Sequence, residues 1–127
     1  MAGKMNYLVG ATQVSLIPSR QRGTGTTNGT GVDVSSYEGN AIALLDAFFE
    51  SGTPTLDVKL QHSDTSGGTY TDIVDAVFAQ VVTTSGIQKV PVNLDAAKKF
   101  VRATGVAAGT SPVYAWGVQL IAQKKYE

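Results

Sequence analysis

Apolar and polar residues alternate regularly in several segments of the chain. Within residues 55–62, Leu or Val stands at positions 56, 58 and 60, and Asp, Lys and Gln stand at positions 57, 59 and 61. A period of two predicts a strand with one buried side. Residues 88–94 repeat the pattern, and Pro91 within them indicates an edge strand or a strand end, because proline cannot donate a backbone hydrogen bond.

The closing segment, residues 112–122, is rich in Val, Tyr, Trp, Leu and Ile. These residue types favour strands, and here they occupy both alternating positions. We therefore expect a central strand that is buried on both sides. Three shorter strands are expected over residues 13–17, 31–37 and 100–107, each bounded by Gly, Pro, Ser or Thr.

Two apolar segments, residues 40–50 and 71–82, fit an amphipathic helix as well as a buried strand. Expected strands flank both at hairpin spacing, so we predict strands over residues 41–49 and 76–82. Residues 94–100 carry an Asp near a possible helix start and are expected to form one short turn of helix.

About eight short strands without alternating helices predict an all-β fold, an antiparallel β-sandwich for which a jelly-roll arrangement is plausible. The 14 glycines support this count, because many short strands require many turns. The expected core is Leu56, Val58, Leu60, Val90, Val92, Phe100, Trp116 and Val118.

Residues 23–31 contain only Gly, Thr and Asn. Such a tract cannot bury enough apolar area to order itself, so we expect a mobile loop or an arm that becomes ordered against a partner. The 127 residues suffice for one core. We divide them into residues 1–30, an N-terminal strand with a flexible Gly/Thr-rich arm, and residues 31–127, the β-sandwich domain.

Composition excludes several kinds of site. The chain has no cysteine and a single histidine, His62, so disulfides, Cys-based zinc sites, iron–sulfur clusters and multi-histidine metal sites are impossible. Ten basic residues balance ten acidic residues, and 16% of all residues are charged. We therefore expect no nucleic-acid partner, and the lack of a long apolar run predicts no membrane partner. A lightly charged surface suits a subunit of an assembly.

The polar loop of residues 63–72 contains the remaining candidates for metal chemistry. Asp64 and Asp72 could donate oxygen ligands to calcium, but their spacing does not match an EF-hand loop, and a plain hairpin loop is favoured. The glycine at Gly67 stands one position too late for the Asp-Thr-Gly motif of aspartic proteases.

Neither hydrolase nor nucleotide motifs are complete. His62 has no Gly-x-Ser-x-Gly elbow to serve, and we expect it to be partly buried and bonded to a loop carbonyl. The Gly-rich tract of residues 23–31 lacks the Lys-Ser/Thr of a phosphate loop. We predict that the chain is not an enzyme and has no catalytic, cofactor-binding or metal site.

Aromatic residues leave a carbohydrate-binding sandwich open as an alternative function, because sugars stack on exposed aromatic faces. The candidates are Tyr70, Tyr114, Trp116 and Tyr126. Trp116 lies in the most apolar segment, where a core position is favoured.

Three segments carry a further pattern. Residues 56–73 read as a strand ending in Gln-His-Ser followed by a Gly-rich loop, residues 92–102 contain Lys-Phe-Val-Arg, and residues 116–126 end in Lys-Lys-Tyr. The pattern resembles small structural proteins of tailed bacteriophages over roughly residues 30–126. The resemblance implies a head decoration or cement protein that binds the outside of the phage head. Its implied partner is the major capsid protein, and its implied location is the virion after synthesis in the host cytoplasm.

Another virion part of the same architecture, such as a tail or head-completion subunit, stays open. A homo-oligomer, either a dimer or a trimer, would multiply weak contacts through avidity. The segment before Gly31 is expected to contact neighbouring capsid subunits and to order only there.

Overall fold

The computed structural model describes residues 11–124, which form seven strands and no helix. The strands are β1 (Ala11–Arg22), β2 (Gly25–Asn28), β3 (Val32–Asp33), β4 (Tyr37–Ser63), β5 (Thr71–Val77), β6 (Gly86–Asn93) and β7 (Phe100–Lys124). All pairings between them are antiparallel.

The long strands β4 and β7 pair along their whole length, from Tyr37 opposite Lys124 to Ser63 opposite Phe100. The pairing is irregular between residues 49 and 53. In this region Gly52 has φ 94° and, on the facing strand, Gly109 has φ 105°. Side chains disfavour these backbone angles, so glycine permits both strands to turn here. Each long strand thereby contributes one half to each of two sheets.

The first sheet contains β6, the first half of β4, the second half of β7 and β1, in that order. The second sheet contains β5, the second half of β4, the first half of β7, and finally β2 and β3, which pair with successive parts of β7. Two sheets with four strand positions each are the arrangement of a jelly-roll β-sandwich. The predicted fold class is confirmed.

The inner faces of the two sheets pack against each other. A Cβ atom added to Gly105 in the second sheet would lie 2.5 Å from the ring of Trp116 in the first. The Tyr114 hydroxyl donates to the Val81 carbonyl at 3.0 Å. The largest buried side chains are Trp116, Tyr114, Leu45, Leu56, Leu60 and Leu120. Of the eight predicted core residues, only Val90 and Phe100 are half-buried rather than buried.

Most predicted strands are confirmed. The alternating segment at residues 55–62 and the ambiguous segment at 41–49 lie in β4, residues 13–17 lie in β1, and residues 100–107 lie in β7. Residues 88–93 lie in β6, which pairs with β4 alone among the described strands, as expected for an edge strand that contains Pro91.

Three local predictions were wrong. The strand predicted at residues 76–82 begins and ends earlier, as β5, and its pairing with β4 is irregular around Asp75, which has φ 66°. The strand predicted at residues 31–37 is reduced to β3, because the Asp33 carboxylate accepts a bond from the Ser35 N–H at 2.9 Å and closes a turn. Residues 94–97 form a turn rather than a helical turn.

The closing strand was predicted to be buried on both sides, and this was also wrong. Tyr114, Trp116 and Val118 are buried, but on the opposite side Ile121 is only half-buried. A sandwich of two sheets covers only the inner face of each sheet. Gly117 is the exception on the outer side, because the β1 backbone at Ser19 lies over it.

The proposed domain boundary at residue 30 stays a prediction, as does the flexibility of the arm. Within residues 11–30, β1 pairs with the second half of β7, and Gly25–Asn28 pairs with the first half. Each sheet therefore takes one of its strands from the N-terminal segment. Residues 1–10 lie outside the described residues.

Candidate interaction surfaces

The outward side of the first sheet presents apolar side chains. Phe48 is 62% exposed, Ile87 is 71% exposed and Ile42 is 40% exposed. We call this surface the apolar face; it consists of the outward residues Ile42, Leu44, Phe48, Ile87, Pro91, Ala115 and Ile121.

Strand register explains why these residues are neighbours. Ile42 stands between Pro91 of β6 and Ile121 of β7. At the other end of the sheet, Phe48 stands opposite Ala115, and it lines a shallow cavity of about 380 Å³ together with Ile87. The apolar positions therefore form two groups on the outer face, one around Ile42 and one around Phe48, and the polar residues Lys89, Asp46 and Gln119 stand between them.

A polar contact divides this surface. The Ser19 hydroxyl lies 2.8 and 2.9 Å from the two carboxylate oxygens of Asp46. Ser19 belongs to an irregular part of β1 that lies against Gly117. This contact ties β1 to the first half of β4 across Gly117 and leaves Phe48 and Ile87 exposed on the β6 side.

The outward side of the second sheet carries a chain of hydrogen-bonded polar groups. The Arg102 guanidinium donates two hydrogen bonds to the side-chain oxygen (Oε1) of Gln61, at 2.8 and 3.0 Å. The side-chain amide nitrogen of Gln61 in turn donates to the Asp72 carboxylate at 2.9 Å. Lys59 donates to the other Asp72 oxygen at 2.9 Å. Arg102 also stacks on the Tyr70 ring at 4.2 Å. We call this surface the polar face.

A cleft of about 360 Å³ opens on the polar face. In the wall of the cleft, the Thr104 hydroxyl donates a hydrogen bond to the side-chain oxygen of Asn28 at 2.5 Å. Its lining combines charged, amide and hydroxyl groups with apolar ones: Thr26, Asn28, Asp57, Val58, Lys59, Gln61, Val77, Arg102, Thr104 and Val106.

The two candidate calcium ligands have different partners. Asp72 bonds to Gln61 and Lys59, and these bonds lower the pKa of Asp72 below its usual value. Asp64 lies 4.0 Å from Lys98. In residues 11–124 no group of three or more His, Cys, Asp or Glu side chains could hold a metal ion.

His62 is partly buried as expected, but its predicted partner was wrong. Its Nδ1 atom accepts a hydrogen bond from the Lys98 backbone N–H at 3.2 Å, whereas a loop carbonyl had been expected. Partial burial and the Lys98 ammonium lower the pKa of His62 from its ordinary value of 6.5, and the Asp64 carboxylate opposes this shift.

The aromatic residues named as stacking candidates do not form a platform. Tyr114 and Trp116 are buried, and the Tyr70 ring is covered on one face by Arg102. Tyr126 lies outside the described residues. The three described candidates therefore give no support to carbohydrate binding by aromatic stacking.

Sequence reasoning missed both faces. The apolar face had a signal, since residues 41–49 are apolar at positions of both parities, which leaves one set facing outward. The polar face had none, because Gln61 and Arg102 are 41 positions apart and meet only through strand pairing.

Comparison with known protein families gives no matching family model, and no curated protein matches the sequence. Solved structures do match. A chain of the infectious bursal disease virus Gx strain is 10% identical, with a TM-score of 0.60 over 92% of this chain and 33% of that one. The VP2 subviral particle of the same virus is 8% identical, with a TM-score of 0.55 over 90% of this chain and 32% of that one.

A third match is the SPBc2 prophage-derived protein YomS, which is 12% identical, with a TM-score of 0.50 over 88% of this chain and 91% of that one. The chain spans about a third of the length of the viral chains but nearly all of YomS. These likenesses define the class: the chain has a β-sandwich fold that also occurs in viral capsid proteins. Within residues 11–124 no helix is long and apolar enough to span a membrane.

Proposed function

We propose that this chain is a virion structural protein that binds and stabilises the outside of a phage head as a decoration or cement protein. Its proposed partners are the major capsid protein and further copies of itself in a dimer or trimer. The observation that carries the proposal is the apolar face. The shared fold with viral particle proteins and the sequence resemblance to small phage proteins support it.

An exposed apolar surface indicates an interaction. Full burial of a Phe or Ile side chain contributes about 1.5–3 kcal/mol, and Phe48 and Ile87 are more than half exposed. Contiguous apolar patches on a soluble protein commonly mark interfaces. We assign the apolar face to the capsid subunit, because an outer sheet face is flat enough to lie on a shell.

Edge strands give a second means of attachment. β6 carries backbone groups that pair with β4 on one side only among the described strands. A segment of a capsid subunit could add to this edge by β-augmentation, in which main-chain hydrogen bonds supply affinity. This edge borders the apolar face through Ile87, so both contacts would serve one interface.

Binding to undecorated, expanded phage heads tests the proposal. We expect the full chain to co-sediment with heads, and Phe48→Ser and Ile87→Ser each to weaken binding about tenfold or more. Val74→Ser is the matched control, because Val74 is 85% exposed but belongs to β5 in the second sheet.

The outcomes separate the alternatives. Equal binding by all three variants would remove the apolar face from the interface. Binding to purified tails or connectors and not to heads would replace the cement role with that of a tail or head-completion subunit. Binding to no particle would remove the virion role.

A further inference from the structure

The cleft on the polar face has the dimensions of a ligand site. Its volume of about 360 Å³ lies within the range of about 300–1,000 Å³ that is usual for small-molecule sites. β4 and β7 form its floor, and both strands are also held in the other sheet of the sandwich. The floor is therefore rigid, as a preorganised site requires.

The polar side chains of the cleft are fixed in orientation. Arg102 is held by two bonds to Gln61 and by stacking on Tyr70. Lys59 is held by Asp72 at 2.9 Å. Side chains that are already ordered lose little entropy when they bind a ligand.

Hydrogen-bonding capacity remains after these internal bonds. Within residues 11–124, neither Nη1 of Arg102 nor the Asn28 amide nitrogen donates to a protein group. The Lys59 ammonium has three N–H groups and one recorded acceptor, Asp72. The Asp57 carboxylate also lines the cleft; both of its oxygens accept from the Gln80 side-chain amide, at 3.2 and 3.1 Å, and each oxygen has a further lone pair for a ligand donor. Donors and acceptors thus stand side by side.

The charged side chains that line the cleft, taken together with Asp72, have a net charge of zero. Lys59 and Arg102 are matched by Asp57 and by Asp72. A phosphate or sulfate ligand would need an excess of positive charge, and a metal cation would need an excess of negative charge. Balanced charge favours a neutral ligand whose groups both donate and accept hydrogen bonds, which is a property of hydroxyl groups.

Two apolar side chains border the polar groups. Val77 is 57% exposed and Val106 is 42% exposed, and both line the cleft. A pyranose ring presents C–H groups on its faces and hydroxyl groups around its rim. The combination of valine surfaces with fixed donors and acceptors matches this ligand.

We infer that the cleft on the polar face binds a neutral oligosaccharide. The aromatic platform considered from the sequence has no part in this site. The inference does not depend on the proposed virion role, since the cleft and the apolar face lie on opposite sheets.

Nuclear magnetic resonance titration of the full, isotope-labelled chain tests the inference. The probes are the neutral hexasaccharides maltohexaose, cellohexaose and N-acetylchitohexaose, with a heparin-derived hexasaccharide as the anionic comparison. We expect at least one neutral probe to give saturable shifts at the backbone amides of Asn28, Thr104 and Val106. The anionic probe is expected to bind more weakly.

Two variants locate the site. Asn28→Ala and Lys59→Ala are expected to weaken binding of the neutral probe about five- to tenfold. Lys89→Ala is the matched control, because Lys89 is exposed on β6 in the first sheet, and it should change nothing. The amide spectrum of each variant without ligand establishes that it is folded.

Three results would overturn the inference: no saturable shift with any neutral hexasaccharide, tighter binding of the anionic probe, or shifts confined to the first sheet. None of these results bears on binding to phage heads, so the two proposals fail separately.

Discussion

The two outer faces of the sandwich share the long strands β4 and β7 and differ in what their side chains contact. On the apolar face, Phe48 and Ile87 are largely exposed to solvent. On the polar face, Arg102, Gln61 and Asp72 bond to one another. An exposed apolar surface favours binding of another protein surface. A polar network with ordered side chains favours binding of a small polar ligand.

The difference arises from residue parity along β4. In its first half the even-numbered positions face outward and include Ile42, Leu44 and Phe48. In its second half the odd-numbered positions face outward and include Lys59 and Gln61. The irregular pairing between residues 49 and 53 exchanges the parity. One strand can therefore present an apolar surface on one sheet and a polar surface on the other.

Removing Trp116 is expected to have the largest effect, because it destroys the support of both faces. Trp116→Ala should lower the free energy of unfolding by about 3–5 kcal/mol, since the side chain is buried between the sheets. Denaturant unfolding measures the change. A loss near zero would contradict the placement of Trp116 in the shared core.

Spacing between the sheets is tested at Gly105. A Cβ atom there would lie 2.5 Å from the Trp116 ring, so Gly105→Ala should cost about 1–3 kcal/mol through overpacking. The double variant Gly105→Ala with Trp116→Ala should lose less than the sum of the two single losses, because the clash is removed. Additive losses would show that the two residues do not meet.

The polar face alone is tested at Gln61. Gln61→Ala leaves the Arg102 guanidinium and the Asp72 carboxylate without their shared partner, and should cost about 1–2 kcal/mol. Gln119→Ala on the first sheet is the matched control, since Gln119 bonds only to exposed Gln13 among the described residues; its effect should stay within about 0.5 kcal/mol. Equal losses would contradict the contrast between the faces.

The smallest expected effect is a pH dependence at His62. Its pKa is lowered in the folded state, so the folded chain binds fewer protons than the unfolded chain just below the unfolded pKa. The contribution of His62 to the free energy of unfolding is therefore fully present above about pH 6.5 and is lost as the pH falls through and below that value. His62 is only partly buried, so the change in melting temperature should be small.

The variant His62→Gln should lose this dependence between about pH 7.5 and 5.5. The variant retains Lys98 and Asp64, the charged groups beside His62. A dependence of the same size in the variant would assign it to another group.

The sequence predicted the fold where alternation was strict and failed where local contacts interrupted it. Residues 55–62 alternate without a break and lie in β4 as predicted. The strand predicted at 76–82 lies at 71–77 instead, and its irregular pairing at Asp75, which has a positive φ, is a local feature that no period reveals. Residues 23–31 have no apolar residue, yet β2 forms there by backbone pairing with β7.

The candidate surfaces were less predictable than the fold. Exposure of Phe48 depends on which parity of the mostly apolar segment 41–49 faces inward, and the second sheet decides this. The polar network depends on the register between β4 and β7. Deletion of residues 1–30 would remove a strand from each sheet, so it is expected to unfold the chain.

Electron microscopy of expanded heads incubated with the chain tests the central claim most directly. The account predicts density on the outside of the shell, with Phe48 and Ile87 against the capsid subunits and the cleft that contains Lys59 open to solvent. Density with the second sheet against the shell, or heads that carry no additional density, would contradict it.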